Sequence, residues 1–191
     1  MQIVLATHNA HKVAELQNIL KRGLGPHELI AYDGPEPVED GATFEANALI
    51  KARAAFAHTG LPSLADDSGI AVDALGGAPG IHSARYAGTR VDTDNVDLLL
   101  KNLEGETNRV AQFVCAAAFV WDGGEAVELG IWPGRVLEAA VGDEGFGYDP
   151  VFKPDDALVS SAELTPDQKN ELSHRTQAFG AILPVVRGAL G

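Results

Sequence analysis

Apolar positions along this chain recur with two periods, and the switches between them mark its elements. Residues 2–6 form a short apolar run that reads as a strand, THN follows as a turn, and residues 12–22 place Val13, Leu16, Ile19 and Leu20 at helical spacing. A second strand is expected near residues 28–32. The loop GPEPVEDGA then leads into an alanine-rich helix over 43–59, with Phe44, Ala48, Leu49, Ala52 and Phe56 on its apolar side and Thr43 placed to cap it. Ser63, Leu64 and Ala65 read as the end of a buried strand, so that Asp66 and Asp67 emerge where the strand opens into a loop. Residues 70–72 fit a very short strand, and GGAPGIHSARYAG has the Gly/Pro punctuation of a long ordered loop. Residues 93–103 are predicted helical. Residues 109–121 and 125–137 are β-type and joined through the DGG turn, most simply as a hairpin that belongs to a separate lobe. Thr165 caps a turn that begins at Pro166, and a helix carrying Ser173, His174 and Arg175 near its start closes the chain.

Composition narrows the class of molecule. A chain of 191 residues, 46% of them hydrophobic, can bury a real core as one domain, or as one domain with a small lobe, without disulfides. The single cysteine, Cys115, lies inside the apolar run FVCAAAFVW and reads as a buried inert thiol, which suits a reducing compartment. The apolar runs fall short of the roughly 20 residues a membrane helix needs, and the start lacks the order of a signal peptide, so a cytoplasmic protein is expected. A net charge of -13, from 14 Lys plus Arg against 27 Asp plus Glu, argues against a nucleic-acid polymer as partner. It leaves room for a small anion met by a few local cations and a divalent metal.

The candidate chemistry lies in the connections. Strand, loop and helix at the very start place amides near a helix N-terminus, where partial positive charge favours an anion, with Lys12 beside them. Read alone, Lys12 is a solvated helix residue. Asn47 and Lys51 are four apart on one helix face with Glu39 in the preceding loop, a stripe that is either solvated or turned into a site. Asp66 and Asp67 repel each other unless a cation or a proton lies between them, and with Glu39 they suit a hard cation. DDSG by itself also fits a solvated acidic turn. GFGYDPVF holds Phe146 on a glycine loop where a planar group could stack, or forms an ordinary aromatic turn. Lys169, His174 and Arg175 bring three donors within seven residues. His8 and His11, without a third soft ligand, make a weak metal pair and are set aside.

Taken together, LATHNAHK, EDGATFEANALIKA, LADDSGIAVDALGGAPGIHSARYAG, GFGYDPVF and AELTPDQKNELSHR closely resemble the non-canonical purine nucleoside triphosphate pyrophosphatases, the inosine/xanthosine triphosphatase family, nearly end to end. The resemblance implies an α/β subunit with a long mixed twisted sheet and flanking helices, two lobes around a central nucleotide-binding cleft, a single domain over 1–191 with a hairpin lobe around 108–138, and a homodimer. It implies Mg²⁺-dependent hydrolysis of ITP, dITP and XTP to monophosphate and pyrophosphate, with Mn²⁺ as a substitute ion. Thr7, His8, Asn9, Ala10, His11 and Lys12 match the family's N-terminal substrate loop, with Asn9 and Lys12 meeting phosphates and Lys51 facing the phosphate chain. Glu39, Asp66 and Asp67 match the acidic cluster around the metal, with Asp67 as proton acceptor and Ser68 a substrate contact. Phe146, Gly147, Tyr148 and Asp149 match the base and sugar loop, and Lys169, His174 and Arg175 the base-reading residues. One departure stands in the phosphate loop, where His11 occupies a place the family often gives to glycine. From other classes, a nucleotide sensor that binds without cleaving and a phosphatase that releases orthophosphate remain as alternatives.

Overall fold

A computed structural model describes residues 1–21 and 23–191. The elements run β1 (Gln2–Leu5), α1 (Ala10–Leu20), β2 (Glu28–Ala31), α2 (Phe44–Thr59), β3 (Ser63–Val72), α3 (Asp92–Asn102), β4 (Val110–Trp121), β5 (Gly124–Val136), β6 (Phe152–Pro154), α4 (Pro166–Leu172) and α5 (His174–Leu190). The six strands form one mixed sheet in the order β2-β1-β3-β4-β5-β6. β1 is parallel to both β2 and β3, while β5 and β6 are antiparallel. The predicted α1 ended at Arg22, which lies outside the described residues; Lys21 is the C-cap.

By contact density the chain divides into two compact units, Met1–Asp67 with Cys115–Gly130 and His174–Gly191, and Ser68–Val114 with Ile131–Ser173. Of the β4–β5 hairpin, Cys115–Gly130 falls in the first unit and the open ends in the second.

In the first unit the period of two decides the layering. Ile3, Leu5, Leu64, Cys115, Ala117 and Phe119 pack with Leu16 and Leu20 of α1 and Phe179 and Ile182 of α5. Their neighbours Val4, Ala65, Ala116, Ala118 and Val120 point the other way, against Ala48, Ala52 and Ala55 of α2. A strand buried on both faces reads as a continuous apolar run, which is why FVCAAAFV carries no alternation. The alanines of α2 let its axis approach the sheet closely. Thr43 caps α2 through its hydroxyl, which accepts from Ala46 N at 3.2 Å, and Gly60 closes it in the left-handed conformation at φ 69°.

The second unit centres on Ile70, Val72, Leu99, Leu103, Phe113, Trp132, Val151 and Phe152. Phe113 and Phe152 meet at 4.4 Å between ring centroids, and Trp132 donates its indole N–H to Asp156 at 2.9 Å.

Three expectations are corrected here. β3 does not end at Ala65 but continues through Asp66, Asp67, Ser68 and Gly69 to Val72, so the pair of aspartates lies in mid-strand and the short strand at 70–72 is part of it. The segment expected as one long loop contains two 3₁₀ turns, Asp73–Leu75 and Gly80–Arg85. The turn expected from Pro166 is a helix, α4, set apart from the closing helix, which starts at His174 as expected, by Ser173, whose ψ of 156° is extended.

Candidate active site

β1 stops at Leu5, in register with Leu64, so β3 outruns its neighbour and Asp66 lies beyond the end of β1. The chain after β1 turns there through Thr7 and His8 into α1. Asn9 is the N-cap: its Oδ1 accepts from His11 N at 3.0 Å and Lys12 N at 3.2 Å, while Asn9 N donates to Thr7 Oγ1 at 3.2 Å. The first free amides of α1 are therefore already met, and Ala10 and His11 form its exposed first turn. His8 faces Glu36, with Nδ1 and Oε1 3.3 Å apart.

Neighbouring side chains on a strand leave opposite faces, and this separates the two aspartates. Asp66 points toward α1 and α5. It is 1% exposed, accepts from Lys12 Nζ at 2.8 Å and has Arg175 Nε 3.6 Å away. Burial alone would raise its affinity for a proton, but the charges of Lys12, Arg175 and Lys51 outweigh that and hold its carboxyl well below the usual carboxylate range.

Asp67 points toward α2, where Lys51 and Asn47 stand one turn apart. Lys51 Nζ is 3.1 Å from Asp67 Oδ1 and 3.1 Å from Glu39 Oε2, and Asn47 Nδ2 reaches Asp67 Oδ2 at 3.4 Å. Asn47 Oδ1 in turn accepts from Gly41 N at 2.9 Å, tying the Glu39 loop to the helix. The poor helix former at 47 thus links three parts of the site, which accounts for its presence in a helix interior. Burial is the largest influence on Asp67 and pushes its carboxyl above the ordinary range despite Lys51 and Lys12. Burial works against the Lys51 ammonium too, but Asp67, Asp66 and Glu39 prevail and keep it charged.

Of Glu39, Asp66 and Asp67, expected as one acidic cluster, Glu39 and Asp67 share Lys51 and Asp66 meets Lys12 on the other face of the sheet, with the charges of both lysines felt at both aspartates. Among the described residues no three His, Cys, Asp or Glu side chains are grouped to hold a metal.

His174 and Arg175 open α5 and are 2% and 5% exposed. Arg175 Nη1 donates to Glu15 Oε2 at 3.0 Å, so its guanidinium stands between Glu15 of α1 and Asp66 of β3. Glu15 escaped the sequence reading, although its place one turn after Lys12 on α1 put both on one face. α5 starts directly over Gly130: a Cβ there would collide with the His174 carbonyl oxygen and lie 2.6 Å from Ala178 N. Gly130→Ala is expected to push α5 off β5 and destabilise the protein by about 2 kcal/mol, the range of an overpacked core. A urea midpoint unchanged from the parent would show that the helix start can yield.

In the second unit, Gly145 at φ 76° and Gly147 at φ 62° bend the chain around Phe146. Lys169 is 6% exposed, 4.9 Å from the centroid of the Phe146 ring, and donates to Asp149 Oδ2 at 2.6 Å. Tyr148 donates its hydroxyl to Ser83 O at 2.8 Å, and Gly147 N donates to Asp92 Oδ2 at 2.7 Å. Ser68, in β3, is half-buried.

The family model that matches residues 3–185 is that of the Ham1 family. A dITP/XTP pyrophosphatase of Leifsonia xyli subsp. xyli is 53% identical over 98% of this chain and 96% of its own length, and one of Streptomyces coelicolor is 47% identical over 100% and 99%. A solved Ham1 protein from Coxiella burnetii superposes with a TM-score of 0.89 at 38% identity, covering 98% of this chain and 99% of that one. With nearly the whole length matched in sequence and in fold, this chain is a member of the Ham1 family.

Proposed function

We propose that this protein hydrolyses non-canonical purine nucleoside triphosphates, dITP, XTP and ITP, to the monophosphate and pyrophosphate in the cytoplasmic nucleotide pool. The observation that carries the reading is the pairing of a buried carboxyl whose proton affinity burial raises, Asp67, with a lysine kept charged beside it, Lys51. This places a base and a hydrogen-bond donor for phosphate at one site. The relatives named dITP/XTP pyrophosphatase supply the substrate class.

In the reaction, a water oxygen bonds to the α-phosphorus as its proton passes to Asp67, and the bond from that phosphorus to the α,β-bridging oxygen breaks, releasing pyrophosphate. Lys51 and Lys12 exchange part of their carboxylate contacts for phosphate oxygens and hold the departing charge. Thr7 to Lys12 wrap the phosphates. The donor set fits a hard divalent cation in part: Glu39 and Asp67 each engage Lys51 through one carboxylate oxygen, and oxygen ligands are what Mg²⁺ or Mn²⁺ prefers. Glu39 and Asp67 would hold it, and when bound it supplies charge neutralisation at the phosphate oxygens.

For the base, Phe146 offers a ring face, with Lys169, His174 and Arg175 as donors toward a 6-oxo group. Adenine would present its own amino hydrogens to those donors and leave buried groups unmatched, a basis for large discrimination. The homodimer belongs to the same proposal, supported by the exposed apolar side chains of Leu129 and Ile131 on β5, 44% and 43% accessible.

The test is to incubate the protein with dITP, XTP, ITP, ATP and GTP, with and without Mg²⁺, and to assay pyrophosphate and orthophosphate separately. Metal-dependent pyrophosphate from the first three and little from ATP or GTP is expected. Orthophosphate would assign a phosphatase instead, and tight binding without products a sensor.

A further inference from the structure

The loop that carries Phe146 is seated on the short turn Ser161–Glu163 by contacts that none of the roles above requires. Ser160 Oγ donates to Val141 O at 2.6 Å, and Glu144 N donates to Ala162 O at 2.9 Å. Gly142 approaches Ala162 so closely that a Cβ would lie 2.5 Å from its carbonyl carbon. At the centre is the Asp149 carboxylate, 2% exposed. Its Oδ2 accepts from Lys169 Nζ at 2.6 Å and from Phe146 N at 2.9 Å, and its Oδ1 accepts from Ser161 Oγ at 2.9 Å. Three donors on a carboxylate so enclosed leave no route for a sugar or base to reach it without displacing one of them.

We infer that Ser161 is a positioning residue for base recognition: by holding Asp149 it fixes the Phe146 ring and the Lys169 ammonium in one arrangement before a purine arrives. This inference rests on the proposed base-binding role of Phe146 and Lys169. Two of the three donors belong to the groups being positioned, so among the described residues only Ser161, itself fully buried, ties the carboxylate to something outside them. Without that hydroxyl the carboxylate loses this outside anchor and holds the ring and the ammonium less firmly. The ordering is then supplied at the moment of binding, which weakens affinity and leaves the chemical step, performed by other side chains, unchanged.

Ser161→Ala removes one hydroxyl at constant shape. It is expected to raise KM for dITP about fivefold to tenfold, the scale of one net hydrogen bond, with kcat within about twofold. Asp149→Asn is expected to raise KM at least as far, and adding Ser161→Ala to it should change KM little further, because both act through one carboxylate. Phe146→Ala, assayed alongside, reports on the underlying reading. If Phe146→Ala raises KM while Ser161→Ala leaves it unchanged, or if the Ser161 and Asp149 effects add in full, Ser161 does not position the base site. If Phe146→Ala itself leaves KM unchanged, the base-binding role fails and the inference with it.

Discussion

Asp67→Asn is expected to lower kcat for dITP by about a thousandfold, within the range that one general base contributes, while affinity for dITP stays within about tenfold. The amide keeps the shape of the side chain and can still meet Lys51 and Asn47, so the α2 face of the site should persist. What it lacks is a place for the proton of the attacking water. Rapid-mixing turnover together with equilibrium binding of dITP separates the two effects. A kcat within tenfold of the parent would remove Asp67 as proton acceptor and leave its burial beside Lys51 as a purely structural pairing.

The largest stability effect is expected at Asp66. Its carboxylate is enclosed with Lys12 and Arg175, whose side chains are 15% and 5% exposed. Asp66→Asn leaves these two cations with one carboxylate fewer, and breaking a buried pair in this way costs about 3 kcal/mol or more. Arg175 keeps Glu15, which bounds the damage from above. The pH dependence has a definite sign. Because the folded protein holds the Asp66 carboxyl below its unfolded value, the stabilisation is complete above the unfolded pKa, roughly 4, and is lost as pH falls through and below it. The difference in urea midpoint between parent and Asp66→Asn should therefore be greatest near neutrality and shrink below about pH 4. A gap independent of pH from 7 to 3 would mean that Asp66 contributes packing and not charge.

Much of the frame was legible because local rules and tertiary contacts agree there. Thr43 caps α2 where Ser, Thr, Asp and Asn are favoured, and Thr165 with Gln168 forms a capping box ahead of Pro166. The apolar run of β4 read as a strand, and in the fold that strand is covered on both faces. The failure at Asp66 and Asp67 has an equally physical cause. DDSG is turn chemistry by propensity, and no local signal reveals that Lys12 and Lys51 neutralise both carboxylates and that a continuous sheet carries them through mid-strand. Ser161 left no trace at all, since a serine in ALVSSAEL reads as loop until its hydroxyl is seen against Asp149.

The sequence by itself determined most of the elements and the titratable groups, and the resemblance of five blocks to a known family supplied the family and its mixed α/β class. The elements follow from periodicity and capping, which act within a few residues. Only the tertiary structure decided which carboxylate meets which cation. Lys12 and Asp66 are 54 residues apart and Arg175 and Glu15 are 160 apart, and the alternation of a strand sends Asp66 and Asp67 to opposite faces, where different helices wait. Pairing across such separations is set by sheet register and helix packing, and that is what gives Lys51 to Glu39 and Asp67 together and Lys12 to Asp66.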